Sequence, residues 1–339
     1  MTTLKRFYAK RESGKEIRLK TFIDLFAGIG GFRLALESFG LKCVFTSEWD
    51  KQAQTTYKEN FKEIPVGDIT KIKENEIPSH DILCAGFPCQ AFSVSGKQKG
   101  FEDTRGTLFF DIARITKHHK PKVIFLENVK NLARHDKGRT LNTVIRILNE
   151  LGYRTYYKIL NAGHYGIPTS RERIFFVCFR KDLGDLDFNF PEPTFEKVIL
   201  KDILEENNDV SKYEIIRKDM KLGKSPDQPP DLKPIQIGTF NNGGQGERIY
   251  SPNGLAVSLT AYGGGVASKT GAYLINGRPR RLTPRECARV MGFPDSFKIP
   301  VSDTQAYKQF GNSVAVPLVK IIAGNILDAC GIDAKPSFN

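Results

Sequence analysis

Short runs of β-branched and aromatic residues alternate with segments of helical periodicity through residues 21–179 of the chain. The runs predict strands at 21–26, 43–48, 81–85, 122–126, 153–160 and 174–179. Between them, apolar residues at helical spacing predict helices at 32–39, 51–60, 108–118 and 140–151. Strands that alternate with helices in this way form a sheet covered on both faces. We therefore expect an α/β fold built on a doubly wound, mostly parallel sheet.

The second half of the chain differs in its pattern of prolines, glycines and apolar residues. Prolines interrupt it after Phe190, a glycine-rich stretch runs from Gly238 to Gly277, and helical periodicity returns at 284–291 and 314–327. We assign residues 1–200 and 309–339 to the first domain, with the C-terminus folded back onto it. Residues 201–308 are expected to form a smaller, irregular, β-rich domain and a hinge.

Charge and composition restrict the class of protein. The sequence carries 51 Lys and Arg against 38 Asp and Glu, a net charge of +13, which favours a polyanionic partner such as nucleic acid. A basic surface without that function is the alternative. Hydrophobic residues make up 40% of the chain, and no apolar run approaches the roughly 20 residues of a membrane span. Because residues 1–20 contain no apolar signal segment, we expect a soluble protein of the cytoplasm with no membrane partner.

One cysteine differs from the others in its context. The six cysteines include no Cys-x-x-Cys spacing, so neither a zinc site nor a disulfide framework is expected. Cys89 follows the strand at 81–85, at the carboxyl edge where ligands of such sheets bind. Its loop contains Lys97, Lys99 and Arg105, which can lower a thiol pKa and activate a nucleophile. The other cysteines are interpreted as small buried apolar residues: Cys43, Cys84, Cys178, Cys287 and Cys330.

A glycine turn follows the first predicted strand. Gly28, Gly30 and Gly31 allow the backbone to approach a ligand closely. Glu48 ends the next strand, about 20 residues after Gly28, where an acid on such a sheet binds ribose hydroxyls. The glycines do not follow the Gly-x-Gly-x-x-Gly order of NAD sites, so S-adenosylmethionine fits better, with Asp68 accepting from the adenine amino group. A tight turn with surface acids is the alternative.

Two further segments bring charged residues to the same edge of the sheet. The strand at 122–126 leads into Glu127, a candidate general acid beside Cys89, although an acid here can also cap a helix. Arg171 and Arg173 lead into the strand at 174–179, where surface ion pairs are the alternative. Together these residues place an acid, a thiol and two cations at one edge.

The order of these motifs resembles that of the bacterial cytosine-C5 DNA methyltransferases. The resemblance rests on the glycine turn, Pro88-Cys89-Gln90, Glu127-Asn128-Val129 and Arg171-Glu172-Arg173. It extends to the blocks at 281–289 and 309–314, so it covers nearly the whole chain after the first twenty or so residues. It implies a Rossmann-like, S-adenosylmethionine-dependent methyltransferase domain joined to a target-recognition domain.

The resemblance also implies a division of roles in the active site. Cys89 adds to carbon 6 of cytosine, because carbon 5 alone is too weak a nucleophile to take a methyl group. Glu127 hydrogen-bonds ring N3 and the amino group, Arg173 holds the ring oxygen and Glu127, and Arg171 supports the site electrostatically. The cytosine must leave the base stack, and the loop at 90–108 is suited to close over it. A flexible charged surface loop has a similar sequence.

Binding residues follow from the same resemblance. Trp49 is expected near the adenine, with core packing as the alternative. The cofactor set is Phe26, Gly28, Ile29, Gly30, Glu48, Trp49, Asp68, Ile69, Pro88, Leu108, Asn312 and Val314. The DNA-binding set is Ser95, Lys97, Arg105, Gln245, Arg248, Ser258 and Tyr262.

The segments at 243–251 and 261–265 look like a recognition segment for GCGC, with the first cytosine methylated. Gln245 is expected to meet the unpaired guanine. One departure is Ser258-Leu259, where many members of the family have Thr-Leu.

The expected partner is double-stranded DNA, and a separate restriction endonuclease is expected without a stable complex. The chain is expected to act as a monomer that binds no metal. Two rival functions remain open. One is an RNA cytosine methyltransferase acting on transfer RNA, and the other is a noncatalytic DNA-binding protein of the same fold.

Overall fold

The larger sheet has both faces buried, as the alternating sequence predicts. The computed structural model describes residues 17–88, 107–206, 209–333 and 335–336. Its strands are β1 (Thr21–Leu25), β2 (Lys42–Ser47), β3 (Ile82–Gly86), β4 (Val123–Val129), β5 (Tyr153–Asn161) and, after the short β6 (Thr169–Ser170), β7 (Glu172–Arg180). The order across the sheet is β2-β1-β3-β4-β7-β5. The β2-β1-β3-β4 pairs are parallel and β7 runs antiparallel to both neighbours. The predicted mixed, mostly parallel sheet is confirmed.

Helices cover the two faces. They are α1 (Gly31–Glu37), α2 (Lys51–Phe61), α3 (Leu108–His119), α4 (Arg139–Glu150), α5 (Pro284–Val290), α6 (Asp303–Asn312) and α7 (Val316–Ala329). Side chains alternate across a strand, so Val123 and Phe125 of β4 pack with α1 and α7 while Ile124 and Leu126 pack with α3 and α4. The sequence patterns did not predict α6. Its buried residues include the polar Gln309 and Gly311, which obscure the apolar period.

A second sheet forms the β-rich region. Its strands are β8 (Lys221–Leu222), β9 (Ile235–Thr239), β10 (Arg248–Ser251), β12 (Ala272–Ile275) and β13 (Arg278–Arg280), in the order β13-β12-β10-β9-β8. The intervening β11 (Ala256–Val257) pairs in parallel with β6 in a separate two-stranded sheet, and so joins this region to the segment that leads into β7. Leu282, Cys287 and Phe293 pack in the core shared with α7. The domain boundary at 308/309 stays a prediction.

The stretch Asp303–Ala329 has the length and apolar composition of a membrane-spanning helix. It consists of α6 and α7, which are separate helices, and most of its apolar window is buried inside the protein. Such a composition is also that of core helices. Its apolar residues belong to the core that covers one face of the larger sheet.

Candidate active site

Glu127 and Arg173 meet at the carboxyl edge of the larger sheet. Glu127 is opposite Gly86 of β3 and Phe175 of β7, whereas Arg173 is opposite Val129. Because Phe175 and Arg173 are two residues apart, Arg173 projects from the same face as Glu127. Nε of Arg173 lies 3.1 Å from Oε1 of Glu127. The sheet register therefore builds the acid and cation pair expected from the sequence.

The Glu127 carboxyl is buried, with 7% of the residue exposed. Burial raises its pKa above the ordinary value, and the neighbouring Arg173 and Arg171 oppose that shift without cancelling it. Oε1 accepts no aligned hydrogen bond from the part of the chain that is described, since the approach of Arg173 is an ion pair without that geometry. The carboxyl is thus suited to hold a proton and has an oxygen available for a ligand.

Arg171 has a different environment from Arg173. It is buried, and burial, reinforced by the charge of Arg173, lowers its pKa to about 9. Its Nη2 donates to the carbonyls of Gly311 and Ser313 at 3.1 and 2.5 Å, and its Nη1 donates to the carbonyl of Leu259 at 3.2 Å. Its charge acts on Glu127 through space, while its hydrogen bonds join segments that are distant in sequence.

Asn128 is a site residue to which sequence reasoning assigned no role. It is buried, and its Nδ2 donates to the carbonyl of Phe87 at 2.7 Å while its Oδ1 accepts from the backbone of Val129 at 2.8 Å. Phe87 lies two residues before Cys89 in the chain. Asn128 therefore holds the end of β4 against the segment that leads to Cys89. The available signal was an amide residue directly after a candidate acid at the end of a predicted strand.

The turn after β1 has the backbone that its glycines allow. Phe26, Gly28 and Gly30 have φ angles of 56°, 56° and 86°. A Cβ on Gly30 would lie 2.3 Å from the ring of Phe61, so a side chain has no room there. A Cβ on Gly28 would meet no atom within 4 Å, so this part of the turn borders open space.

Glu48 organises the turn. Its Oε2 accepts from the backbone of Gly28 and its Oε1 from that of Asp50, both at 2.8 Å. Burial raises the pKa of Glu48, although these hydrogen bonds oppose the shift. Each carboxylate oxygen keeps a further lone pair for a hydroxyl ligand. Lys308 of α6 reaches the neighbouring Asp50 at 2.6 Å, a contact that the sequence did not predict.

The other predicted cofactor residues lie around this turn. Trp49 is 77% exposed, so the alternative of core packing is wrong for it. Asp68 accepts from Thr70 through Oδ1, and its other oxygen makes no hydrogen bond with the residues the structure describes. Ile69 is buried beside it, and Ile29 is buried after Gly28. An exposed aromatic ring, two carboxylates and a glycine turn fit an adenosine-containing group.

Val314 links the turn to the catalytic edge. A Cβ on Gly31 would lie 2.6 Å from Cγ2 of Val314, and one on Gly86 would lie 4.0 Å from Cγ1 of Val314 and 3.9 Å from Oε2 of Glu127. Asn312 is exposed next to it, Pro88 is exposed after β3, and Leu108 is half-buried at the start of α3. The glycine turn and Glu127 therefore border one region.

Three of the predicted recognition residues differ from this buried site in their exposure, while the fourth contacts Arg171. Gln245, Arg248 and Tyr262 are exposed. The two segments that carry them are in backbone contact, since a Cβ on Gly246 would lie 1.9 Å from the carbonyl oxygen of Gly264. Ser258 is half-buried, and its Oγ accepts from Arg171 at 3.5 Å.

Four predicted residues, Cys89, Ser95, Lys97 and Arg105, lie outside the described residues. The interpretation of the other cysteines is confirmed, because all five are buried. Burial raises the pKa of Cys43 and of Cys178 to about 12, so these thiols stay protonated. Within the described ranges, no group of three or more His, Cys, Asp or Glu side chains is placed to hold a metal ion.

Known proteins resemble this chain in sequence and in fold. A family model described as C-5 cytosine-specific DNA methylase matches residues 20–328. Type II methyltransferase M.HhaI of Haemophilus parahaemolyticus is 57% identical over 312 residues, which are 92% of this chain and 95% of that protein. M.HpaII of Haemophilus parainfluenzae is 47% identical, covering 94% of this chain and 93% of that protein.

Among solved structures, the S. pombe Dnmt2 methyltransferase is similar with a TM-score of 0.70 at 22% identity, covering 92% of this chain and 99% of that chain. The Entamoeba histolytica methyltransferase EhMeth is similar with a TM-score of 0.66 at 21% identity, over the same shares. At these identities the likeness shows a shared fold.

Proposed function

Because this chain belongs to the C-5 cytosine-specific DNA methylase family, we propose that it methylates a cytosine flipped out of double-stranded DNA, with Cys89, Glu127 and Arg173 as its catalytic residues. The chain is an enzyme, a DNA (cytosine-5-)-methyltransferase. The observation that carries the assignment of residues is the buried Glu127 carboxyl. It has a raised pKa and an Arg173 partner at the sheet edge from which the chain continues to Cys89.

In the proposed reaction the Cys89 thiolate forms a bond to carbon 6 of cytosine. Glu127 donates a hydrogen bond to ring N3, so that the electron pair displaced by the thiolate becomes available at carbon 5. Arg173 orients Glu127 and binds the ring oxygen, and the Arg171 charge supports the same site. After carbon 5 is methylated, its proton leaves to a base and Cys89 is released, which restores the ring.

The family implies S-adenosylmethionine as the methyl donor. When bound, it supplies an electrophilic methyl group. We assign its ribose to Glu48, its adenine to Trp49, Asp68 and Ile69, and its remaining contacts to the turn and the segments around it. Those contacts come from Phe26, Gly28, Ile29, Gly30, Pro88, Leu108, Asn312 and Val314. No metal is assigned a role.

The proposed target is GCGC, methylated at its first cytosine. The support is the 57% identity to M.HhaI, together with two recognition segments that are in backbone contact around Gly246. Gln245 is assigned to the unpaired guanine, and Arg248, Ser258 and Tyr262 to base or backbone contacts. Ser95, Lys97 and Arg105 are assigned to the DNA on the side of Cys89.

The proposed setting is the modification half of a restriction-modification system, since two similar proteins are Type II methyltransferases. The enzyme would act as a monomer in the bacterial cytoplasm, beside a separate endonuclease. RNA methylation is less favoured, because the similarity to DNA-modifying relatives extends through the β-rich region as well as the catalytic sheet.

The test is a trapping experiment. The protein and S-adenosylmethionine are incubated with duplexes that carry 5-fluorocytosine at the first cytosine of GCGC, or at other positions. Fluorine at carbon 5 prevents the final loss of a proton, so a covalent adduct should accumulate with the first duplex only. Cys89→Ser should abolish it, whereas Cys330→Ser, a buried control, should retain it.

Adducts at other positions would overturn the GCGC assignment. Transfer of label to transfer RNA but not to duplex DNA would favour the RNA function. Absence of transfer to every nucleic acid would leave a noncatalytic DNA-binding protein.

A further inference from the structure

The side chain of Arg171 connects two segments that the proposed function places in different roles. One is the turn from Gly311 to Val314, assigned to the cofactor, and the other is the segment from Ser258 to Tyr262, assigned to DNA. Nη2 of Arg171 donates to two carbonyls of the turn, while Nη1 donates to the carbonyl of Leu259. We call Arg171, Gly311–Ser313 and Ser258–Ala261 the junction.

Backbone packing makes the junction close. A Cβ on Gly311 would lie 2.4 Å from the carbonyl carbon of Thr260 and 2.5 Å from the nitrogen of Ala261. These are backbone atoms, so a side chain at Gly311 would force one segment away from the other. Tyr262 follows Ala261 directly and is 75% exposed. The contact with Gly311 therefore lies directly before a residue that the proposed function assigns to DNA.

The segment from Gly311 to Val314 also borders the glycine turn that follows β1. A Cβ on Gly31 would lie 2.6 Å from Cγ2 of Val314 and 3.1 Å from Oγ of Ser313. A displacement of Gly311–Val314 by a ligand at the glycine turn would reach both Arg171 and Thr260. Close-packed interiors transmit such displacements because they hold no empty space to absorb them.

We propose that the junction couples cofactor binding to DNA recognition, with Arg171 and Gly311 as positioning residues. An occupied cofactor site holds Gly311–Val314 in the position from which Arg171 and Gly311 set the DNA-binding segment. By linkage, DNA then raises the affinity for the cofactor by the same factor. The inference rests on the proposed function, because that function assigns the two segments to their ligands.

Gly311→Ala tests the junction directly. Gly311 lies in the last turn of α6 and alanine is the better helix former, so the helix itself is not weakened. The matched control is Gly324→Ala in α7, where the added Cβ would meet Phe39 at an ordinary 3.6 Å. The Kd for a GCGC duplex is measured with and without saturating S-adenosylhomocysteine.

We expect S-adenosylhomocysteine to tighten DNA binding by the wild type and by Gly324→Ala about 10-fold, within the usual range of coupling between sites. In Gly311→Ala the ratio should fall toward 1. A ratio near 1 in the wild type, or an unchanged ratio in Gly311→Ala, would overturn the proposal. Methyl transfer is recorded in the same samples. If neither the wild type nor Gly324→Ala transfers a methyl group, the proposed function is wrong. The coupling ratio is still tested in that case, because it comes from the DNA Kd values alone.

Arg171→Lys is the second variant and remains informative if Gly311→Ala fails to fold. Lysine lacks the planar fork that serves both segments at once, and because burial lowers the pKa of an ammonium group, its charge near Glu127 is best retained at the acidic end of the pH range. The coupling ratio should fall and the KM for DNA should rise at every pH, including the acidic end where the lysine is charged. A shifted pH profile with intact coupling would show that Arg171 acts only through the charge of Glu127, contrary to the proposal.

Discussion

The carboxyl edge of the larger sheet and the predicted recognition segments beside the smaller sheet differ in how deeply their side chains are buried. Glu127 and Asn128 are buried between strands whose register fixes them. Gln245, Arg248 and Tyr262 are exposed, in a short 3-10 helix, at the start of β10 and in a bend, near a small core that includes Phe240 and Ile249. Under the proposed function, the raised pKa of the buried Glu127 serves proton transfer, and the exposed polar groups are available to DNA. The proposed chemistry therefore depends on the buried region, and the proposed choice of DNA sequence on the exposed one.

The largest expected effect lies at the catalytic edge. Glu127→Gln keeps the shape of the side chain but removes the transferable proton, so kcat should fall about 10²–10⁴-fold, as for loss of a general acid. DNA binding should change less than kcat, because the glutamine amide can still donate a hydrogen bond to ring N3. Single-turnover methylation and a DNA Kd measure the two quantities. A variant with near wild-type kcat would remove Glu127 from the chemistry.

Loss of a recognition residue should have a smaller and more selective effect. Arg248→Ala should lower the ratio of kcat/KM for GCGC over a singly mismatched site by about 10–100-fold, since a base contact contributes about 1–3 kcal/mol of discrimination. The thermal midpoint should stay unchanged, because the side chain is exposed. The control is Lys233→Ala, an exposed cation to which no DNA contact is assigned. An equal loss for both sites would make Arg248 a backbone contact only.

Trp49 is exposed, like the residues assigned to DNA, although it lies beside the buried site. Trp49→Ala should raise the Kd for S-adenosylhomocysteine by about 10-fold, given that stacking on a base contributes about 1–3 kcal/mol. Trp49→Phe should recover most of the affinity. The free energy of unfolding should be unchanged in both variants. Destabilisation without weaker binding would assign Trp49 to packing, against its 77% exposure.

The smallest expected effect is a pH-dependent stability. Burial raises the pKa of Glu127, so the folded protein binds this proton more tightly than the unfolded chain. The stability this provides is present below the unfolded value of about 4.5 and is lost as pH rises through the raised pKa. Glu127→Gln resembles the protonated form. Its stability relative to wild type should grow over that window and then level off, and a flat difference in urea unfolding would contradict the shift.

The strands of the larger sheet were predictable because each one is a short run of consecutive apolar residues, which can be recognised without knowing the fold. Each predicted strand overlaps an observed one, and the ends differ by at most three residues, the largest difference being at β4, which extends to Val129. Helix α6 was not predicted, because its buried face includes Gln309, whose Oε1 accepts a hydrogen bond from Oγ1 of Thr56 at 2.9 Å. Such a polar residue breaks the apolar periodicity of the helix in the sequence. The distant residue that makes its burial possible is known only from the folded structure.

The amino-acid sequence by itself determined the α/β class, the family, and the candidate roles of Cys89, Glu127, Arg173 and Glu48, since these depend on residue types in a fixed order. Only the tertiary structure decided the contacts of Arg171 with Leu259 and Ser313, which lie 88 and 142 positions further along the chain. The same holds for the close approach of Gly311 to Thr260. Such contacts arise from packing between segments that carry no local signal of each other. Strand register decided the pairing of Glu127 with Arg173 for the same reason.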